Sequence, residues 1–283
     1  MAITYHAGRR IQGLSTDILN TPTYSDDFSS DNWTDVGSLG VSGGTLGGDG
    51  IVDGGDDTSY KDMTSISETA FLFRFKATYI TTFGSGSASR FIHFGLSDKF
   101  APQNTTQDFV GFSFEQWNAP AFRIGGQMRN GQTLDQPSNG NLRLSELDHS
   151  SAGTFTHWFE VIRNGNAFTL NVYSDSGYST LVDSVTSTVT GITALRYFSC
   201  TNKDGVGSSS GTLNVAIDDL KLYNGVSSLT SKPINVQVGS RYEETDTRKM
   251  YHLDDIDWKE ENDGNIPNFR SASWYEQLSG ETP

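Results

Sequence analysis

Between residues 242 and 252 the chain reads YEETDTRKMYH, setting Glu243, Glu244, Asp246, Arg248, Lys249 and His252 among Tyr242, Met250 and Tyr251. Carboxylates beside cations and an imidazole are the side chains of general acid–base chemistry, or of polar ligand binding. In period two, however, RYEE and RKMYH read as two short strands around the turn TDT. Cross-strand charge pairs of that kind contribute tenths of a kcal/mol to about 1 kcal/mol. Two strands alone are marginal in water, so such a hairpin needs a surface to lie on. Tyr242, Met250, Tyr251 and the nearby Trp258 give it an apolar side, and the stretch reads as an attachment device.

Three other groups of residues have chemistry to offer. Asp26, Asp27 and Asp31 stand near the start of the strand-rich region and Asp218 and Asp219 near its end. If first and last strands pair, these hard oxygens would converge in a way that suits Ca²⁺. The plainer reading is that they form turns and solvate strand ends. The Gly-Asp run from Gly47 to Asp57 is in the same way either a chelator or a loop. For a sugar, Trp117, Phe122, Arg123 and Arg129 combine rings that stack with cations that fix hydroxyls. The plainer reading is that Trp117 and Phe122 finish strands and plug the end of the sandwich.

Redox, nucleotide and hydrolytic chemistries find less. His6, His93, His149, His157 and His252 are scattered, and no CxxC, HExxH, P-loop or dinucleotide fingerprint is present. Cys200 is the single cysteine, so no intrachain disulfide framework exists. The net charge of −14, with 20 basic residues among 34 acids, argues against phosphate-backbone binding and hence against nucleic acid. No run of 18 apolar residues occurs, and MAITYHAGRRIQG has no signal-like apolar core. The expectation is a protein made in a cytoplasm, without a membrane span.

The elements that must position these residues are strands. FLFRFKATY puts Phe71, Phe73, Phe75, Ala77 and Tyr79 on one face and Arg74, Lys76 and Thr78 on the other. RFIHFGLS, DFVGFSFEQW, AFRIGG, THWFEVIRNG, AFTLNVYSD, LRYFSC and LNVAIDDLKLY follow the same style between turn-rich segments. Trp33, Trp158 and most phenylalanines are assigned to the core. Asn164-Gly165 predicts a hairpin with a type I′ turn, and LRLSELDHSS is the one candidate for a short helical turn. Three zones result: an N-terminal arm, 1–22; a strand series, 23–225; and a C-terminal hairpin segment, 226–283. The arm and tail are too small for cores of their own and are expected to dock on the sandwich or on another chain. The fold class is all-β, an antiparallel jelly-roll sandwich.

DDFSSDNW, FLFRFKATY, FGLSD, DFVGFSF, LNVYSDSGYSTL and IDDLKLYNG, in this order, resemble the concanavalin A-like, laminin-G-like jelly-roll superfamily over roughly residues 24–225. The resemblance implies paired first and last strands and a structural calcium beside them, with Asp26, Asp27, Asp218 and Asp219 as its ligands. Glucan-cleaving members carry Glu-x-Asp-x-Glu on one strand, which puts nucleophile and acid on the same face. Here that motif is absent. ELDHS has Ser150 and ETDTR has Arg248 where the second Glu belongs. The terminal segments, MAITYHAGRRIQG and VGSRYEETDTRKMYH, are similar to those flanking structural proteins of tailed viruses. Together these imply a non-enzymatic virion protein, a jelly roll on the capsid or tail held to other virion proteins by its ends, homo-oligomeric (a trimer, for instance) and in contact with host glycans. The alternative is a carbohydrate-binding module, and behind it a glucan hydrolase using Glu115 or Glu146.

Overall fold

The computed structural model describes residues 4–6, 10–13, 22–52, 57–82, 89–100, 106–116, 121–132, 141–144, 147–202, 211–229, 241–244, 250–253 and 258–260. In chain order the strands begin with β1 (Thr4–His6), β2 (Arg10–Gly13), β3 (Tyr24–Asp26), β4 (Thr34–Val36), β5 (Gly40–Ser42), β6 (Thr45–Ile51) and β7 (Thr58–Asp62). Next come β8 (Ala70–Thr82), β9 (Ser89–Ser97), β10 (Gln107–Gln116), β11 (Phe122–Gln132), β12 (Asn141–Arg143), β13 (Gly153–Asn164) and β14 (Ala167–Tyr173). The last are β15 (Leu181–Thr188), β16 (Tyr197–Thr201), β17 (Thr212–Asn224), β18 (Arg241–Glu244), β19 (Met250–Leu253) and β20 (Trp258–Glu260). Among the described residues there is no α-helix, and the one helical trace is an i→i+3 bond from Leu147 N–H to the Leu144 carbonyl. Among the described residues no helix is long and apolar enough to cross a membrane.

Residues 22–228 form one unit. Its strands make two antiparallel sheets, ordered β12-β11-β10-β9-β16-β7-β4 and β15-β14-β13-β8-β17-β6-β5, with β3 also on β17. The reason is visible in β8: Phe71, Phe73, Phe75, Ala77 and Tyr79 are fully buried, while Arg74, Lys76 and Thr78 line the other face. Alternation of this kind gives each sheet one apolar side, and two such sides must close on each other. Phe75 marks the closure. It stacks on Phe159 of the neighbouring strand, with centroids 4.8 Å apart, and meets Phe94 of the opposite sheet edge-on at 4.7 Å. First and last strands of the unit pair as expected, Asp26 opposite Leu220 and Tyr24 opposite Leu222.

Two local expectations need correction. Asn164 closes the hairpin opposite Ala167, so the two loop residues are Gly165 and Asn166. Only Gly165 has positive φ, 62°, the pattern of a type II′ turn, which wants glycine first. Trp158 is also not a core residue. It sits opposite Lys76 and Tyr173 on the outer face, half-buried, and its neighbour Phe159 takes the core position.

The terminal segments, 1–21 and 229–283, form the second unit. Its strands make one sheet ordered β1-β2-β18-β19-β20. β2 and β18 run parallel, with Ile11 beside Tyr242, and the other pairs are antiparallel. Arm and tail are thus neighbours within one sheet, joined by backbone hydrogen bonds. Tyr251 falls opposite Tyr242, Trp258 opposite Leu253, and Met250 opposite Glu243.

Candidate functional site

Residues directly opposite on antiparallel strands share a face, so the register of the seven-stranded sheet writes its outer face as rows. One row runs Arg129, Phe109, Ser97, Tyr197, Asp62. The next runs Gln127, Gly111, Gly95, Ser199, Tyr60, Thr34. A third runs Gly125, Ser113, His93, Thr201, Thr58, Val36. Beyond them Arg123 faces Glu115. The face is therefore polar in its middle and has a different chemistry at each end.

At the β10–β11 end a continuous chain of hydrogen bonds holds the side chains. Arg129 Nε donates to Gln127 Oε1 at 3.0 Å, and Gln127 Nε2 donates to Ser113 Oγ at 3.0 Å. The Ser113 hydroxyl donates to Glu115 Oε1 at 2.6 Å. Arg123 closes the chain on the other carboxylate oxygen, Nε at 3.1 Å and Nη2 at 3.0 Å. Glu115, Gln127 and Arg129 are fully buried, whereas Arg123 keeps 15% of its side chain exposed. The carboxylate is held as an ion-pair partner, and two residues before it on the strand stands Ser113, not a second carboxylate.

At the β16–β7 end the face carries rings. Tyr60 and Phe100 stack with centroids 4.5 Å apart and planes 17° apart. Tyr197 meets both edge-on, at 5.9 Å from Tyr60 and 5.3 Å from Phe100. Phe100 is 52% exposed, an unusual position when most of the described phenylalanines are buried. A short turn fixes it: the buried Ser97 hydroxyl donates to the Lys99 carbonyl at 2.6 Å and lies 3.1 Å from Ser199 Oγ. Beside the rings the Arg196 guanidinium lies 5.2 Å from the Tyr197 centroid. It forks onto Asp62, Nε to Oδ1 at 2.8 Å and Nη2 to Oδ2 at 2.5 Å. This bond holds the Asp62 carboxyl below the usual carboxylate range and raises the guanidinium pKa.

Of the residues expected to meet a sugar, Arg123 and Arg129 lie on this face, both in the internally bonded end. Phe122 does not. It is buried in the core, stacked on Tyr79 with centroids 5.6 Å apart, so no ring face remains for a ligand. Trp117 and Glu146 lie outside the described residues. The sequence reasoning missed Tyr60, Phe100 and Tyr197. Their signal was weak: two tyrosines at outward positions of strands, and a phenylalanine just after a strand end in SDKF. A separate cleft of about 460 Å³ lies against the outer side of β8 and β17, lined by Asp35, Val41, Asp49, Thr78, Ile80 and Asn214, without an aromatic ring in its lining.

The residues expected to hold calcium do not fit it. Asp26 is 8% exposed and both its oxygens accept hydrogen bonds from the fold. Oδ1 accepts from Phe28 N–H at 2.8 Å, while Oδ2 accepts from Trp33 Nε1 at 2.9 Å and the Tyr24 hydroxyl at 2.5 Å. Asp27 instead caps Ser29 N–H at 3.0 Å. Asp218 faces Lys76 at 3.4 Å and Asp219 faces Lys221 at 2.9 Å. Among the described residues no group of three His, Cys, Asp or Glu side chains converges. The strands do meet, but their acids serve the fold.

No family model matches this chain, and no curated protein matches it. Solved structures that are similar include the CBM2 module of the evolved Dit of Lactobacillus casei BL23 phage J-1 (10% identity, 73% of this chain, 97% of that one, TM-score 0.44). Another is a legume lectin-like domain from Entamoeba histolytica (13% identity, 68% and 90% coverage, TM-score 0.43). The alginate lyase Aly36B is a third (14% identity, 76% and 97% coverage, TM-score 0.44). The likeness is one of architecture. The chain is an all-β protein whose larger unit is an antiparallel β-sandwich.

Proposed function

We propose that this chain is a non-enzymatic glycan-recognition protein of a tailed-virus particle. The sandwich presents the Tyr60–Phe100–Tyr197 platform to a host-surface polysaccharide, and the terminal sheet joins the domain to other virion proteins. The observation that carries glycan recognition is the platform itself, a stacked pair of rings with Phe100 half in solvent beside an exposed donor–acceptor pair. Sugar rings lay their C–H faces on such surfaces, and adjacent polar groups take the hydroxyls. The non-enzymatic part is supported by Glu115, whose carboxylate is engaged by Ser113 and Arg123 and whose strand lacks the Glu-x-Asp-x-Glu pattern. The virion part is supported by the tail-protein-like text of the terminal segments and by the parallel β2–β18 pairing, which gathers both chain ends into one unit.

Purified protein on a glycan array tests recognition. Binding is expected, and Phe100→Ala should weaken it by about tenfold, the value of one stacked ring. A blank array, or a Phe100→Ala protein that binds as well as the parent, rejects the platform as the site. Mass spectrometry of purified particles tests the virion assignment: many copies are expected, and absence of the chain rejects it. Incubation with polysaccharide should release no reducing ends.

A further inference from the structure

We propose that the ligand of the aromatic platform is an uncharged glycan, and that Asp62, by holding Arg196, is what turns acidic sugars away. This rests on the glycan-binding reading above and adds the charge class of the ligand. Three cations adjoin the platform rings in sequence, and each donates to an acceptor of the protein. Lys61, next to Tyr60, lies opposite Phe198 and so on the other face of the sheet, where it gives its Nζ to the Asn32 carbonyl and to Asn32 Oδ1, both at 2.9 Å. Lys99, next to Phe100, donates to the Thr106 carbonyl at 2.8 Å and stands 3.9 Å from Asp98. Arg196, next to Tyr197, is forked onto Asp62 through two nitrogens.

A carboxylated or sulfated sugar approaching the rings would meet an arginine whose charge is already balanced by Asp62 and would enter the field of a chain with net charge −14. An uncharged sugar needs something else: a donor and an acceptor side by side, spaced for neighbouring hydroxyls. The Arg196–Asp62 pair provides both. Its side chains are 48% and 41% exposed. The guanidinium has further N–H groups beyond the two that Asp62 takes, and the carboxylate oxygens have lone pairs beyond those that Arg196 and Thr64 N–H occupy. The pair is thus a neutral reader of hydroxyls, and breaking it would expose a cation beside the platform.

Asp62→Asn tests this on the full chain. The amide keeps the shape and can still accept from Thr64 N–H, so the fold should survive, checked by an unchanged melting temperature. Titration calorimetry would compare uncharged gluco-, manno- and galacto-oligosaccharides with sialyllactose and oligogalacturonate at low salt. The parent should prefer the uncharged set, and Asp62→Asn should shift the ratio of affinities toward the acidic set by about tenfold. Arg196→Ala should lose affinity for the uncharged set without gaining acids. A parent that prefers acidic sugars, or an Asp62→Asn protein with an unchanged ratio, overturns this inference and leaves glycan recognition standing. A parent that binds neither set overturns both.

Discussion

The hydroxyl of Tyr79 lies 3.0 Å from Nδ1 of His157, on the adjacent strand, and the same hydroxyl is 3.1 Å from Nε2 of His149. One hydroxyl between two imidazoles can donate to one ring and accept from the other, so the arrangement suits neutral histidines. Burial pushes His157 down to about 4, with the neighbouring His149 adding to the effect, and burial also lowers His149.

The sign of the pH dependence follows. With a folded pKa of about 4 against 6.5 unfolded, His157 binds fewer protons in the native state between those values. Its contribution to stability is complete above pH 6.5 and is lost as the pH falls toward 4. After discounting for partial exposure the loss is about 1 to 2 kcal/mol. Urea denaturation at steps from pH 7.5 to pH 4 should show this fall, and His157→Asn, which keeps an acceptor for Tyr79, should flatten it. An unchanged slope in the variant would assign the acid sensitivity to the carboxylates.

Glu160 is the buried counterpart of Asp62. Arg74 Nε reaches its Oε2 at 2.7 Å, while Asn171 Nδ2 at 2.9 Å and the Tyr173 hydroxyl at 3.1 Å reach Oε1. The carboxylate is 3% exposed, and the Arg74 guanidinium also lies 4.0 Å from the Tyr178 ring centroid. Removing one partner of such a group leaves the rest buried without compensation, so Glu160→Ala should cost about 3 to 5 kcal/mol. Asp62→Asn, on an exposed pair, should leave the denaturation midpoint where it is. Equal losses in the two variants would contradict the contrast in burial.

Much of the sandwich is legible along the chain because burial there follows local parity. In β8 five side chains alternate inward without exception, and the eye finds them. Parity misleads where both faces are buried. All ten residues of β10 are covered, so DFVGFSFE does not announce that Phe109, Ser113 and Glu115 look outward. It misled at Trp158 also, where a large ring invited a core assignment that its neighbour Phe159 fills. The platform was out of reach for a different reason. Tyr60, Phe100 and Tyr197 come from three separate segments, and only the spatial order β9-β16-β7 makes them adjacent. Strand order across a sheet is non-local information. The pairing of Asp26 with the last strand was within reach, but the donors that occupy its oxygens were not.

Those donors set a prediction for metals. Because Asp26 is 8% exposed and already accepts from Phe28, Trp33 and Tyr24, calcium would have to compete with three donors for its oxygens. Scanning calorimetry with millimolar Ca²⁺ and with EDTA should give melting temperatures within about 1 °C of each other, since a ligand that does not bind the native state adds nothing to stability. Asp26→Ala should by contrast leave three donors unanswered and cost about 2 to 4 kcal/mol. A calcium-dependent rise of several degrees that disappears in the Asp26→Ala protein would reinstate these acids as ligands.

Gly95 and Gly111 face each other in the middle row of the seven-stranded sheet. A Cβ on Gly111 would lie 2.2 Å from the Phe94 carbonyl oxygen and 2.7 Å from Gly95 Cα, and a Cβ on Gly95 would meet Val110 and Gly111 in the same way. These obstacles are backbone, so they cannot swing aside, and β9 and β10 would have to separate. Gly111→Ala should therefore destabilise by about 2 to 3 kcal/mol. Gly131 provides the comparison. Its φ is 56° and a Cβ there meets nothing within 4 Å, so Gly131→Ala should cost only the backbone strain, about 1 kcal/mol. Chemical denaturation of the two variants should rank them in that order. Should Gly131→Ala prove the more damaging, the two strands approach each other less closely than their glycines indicate.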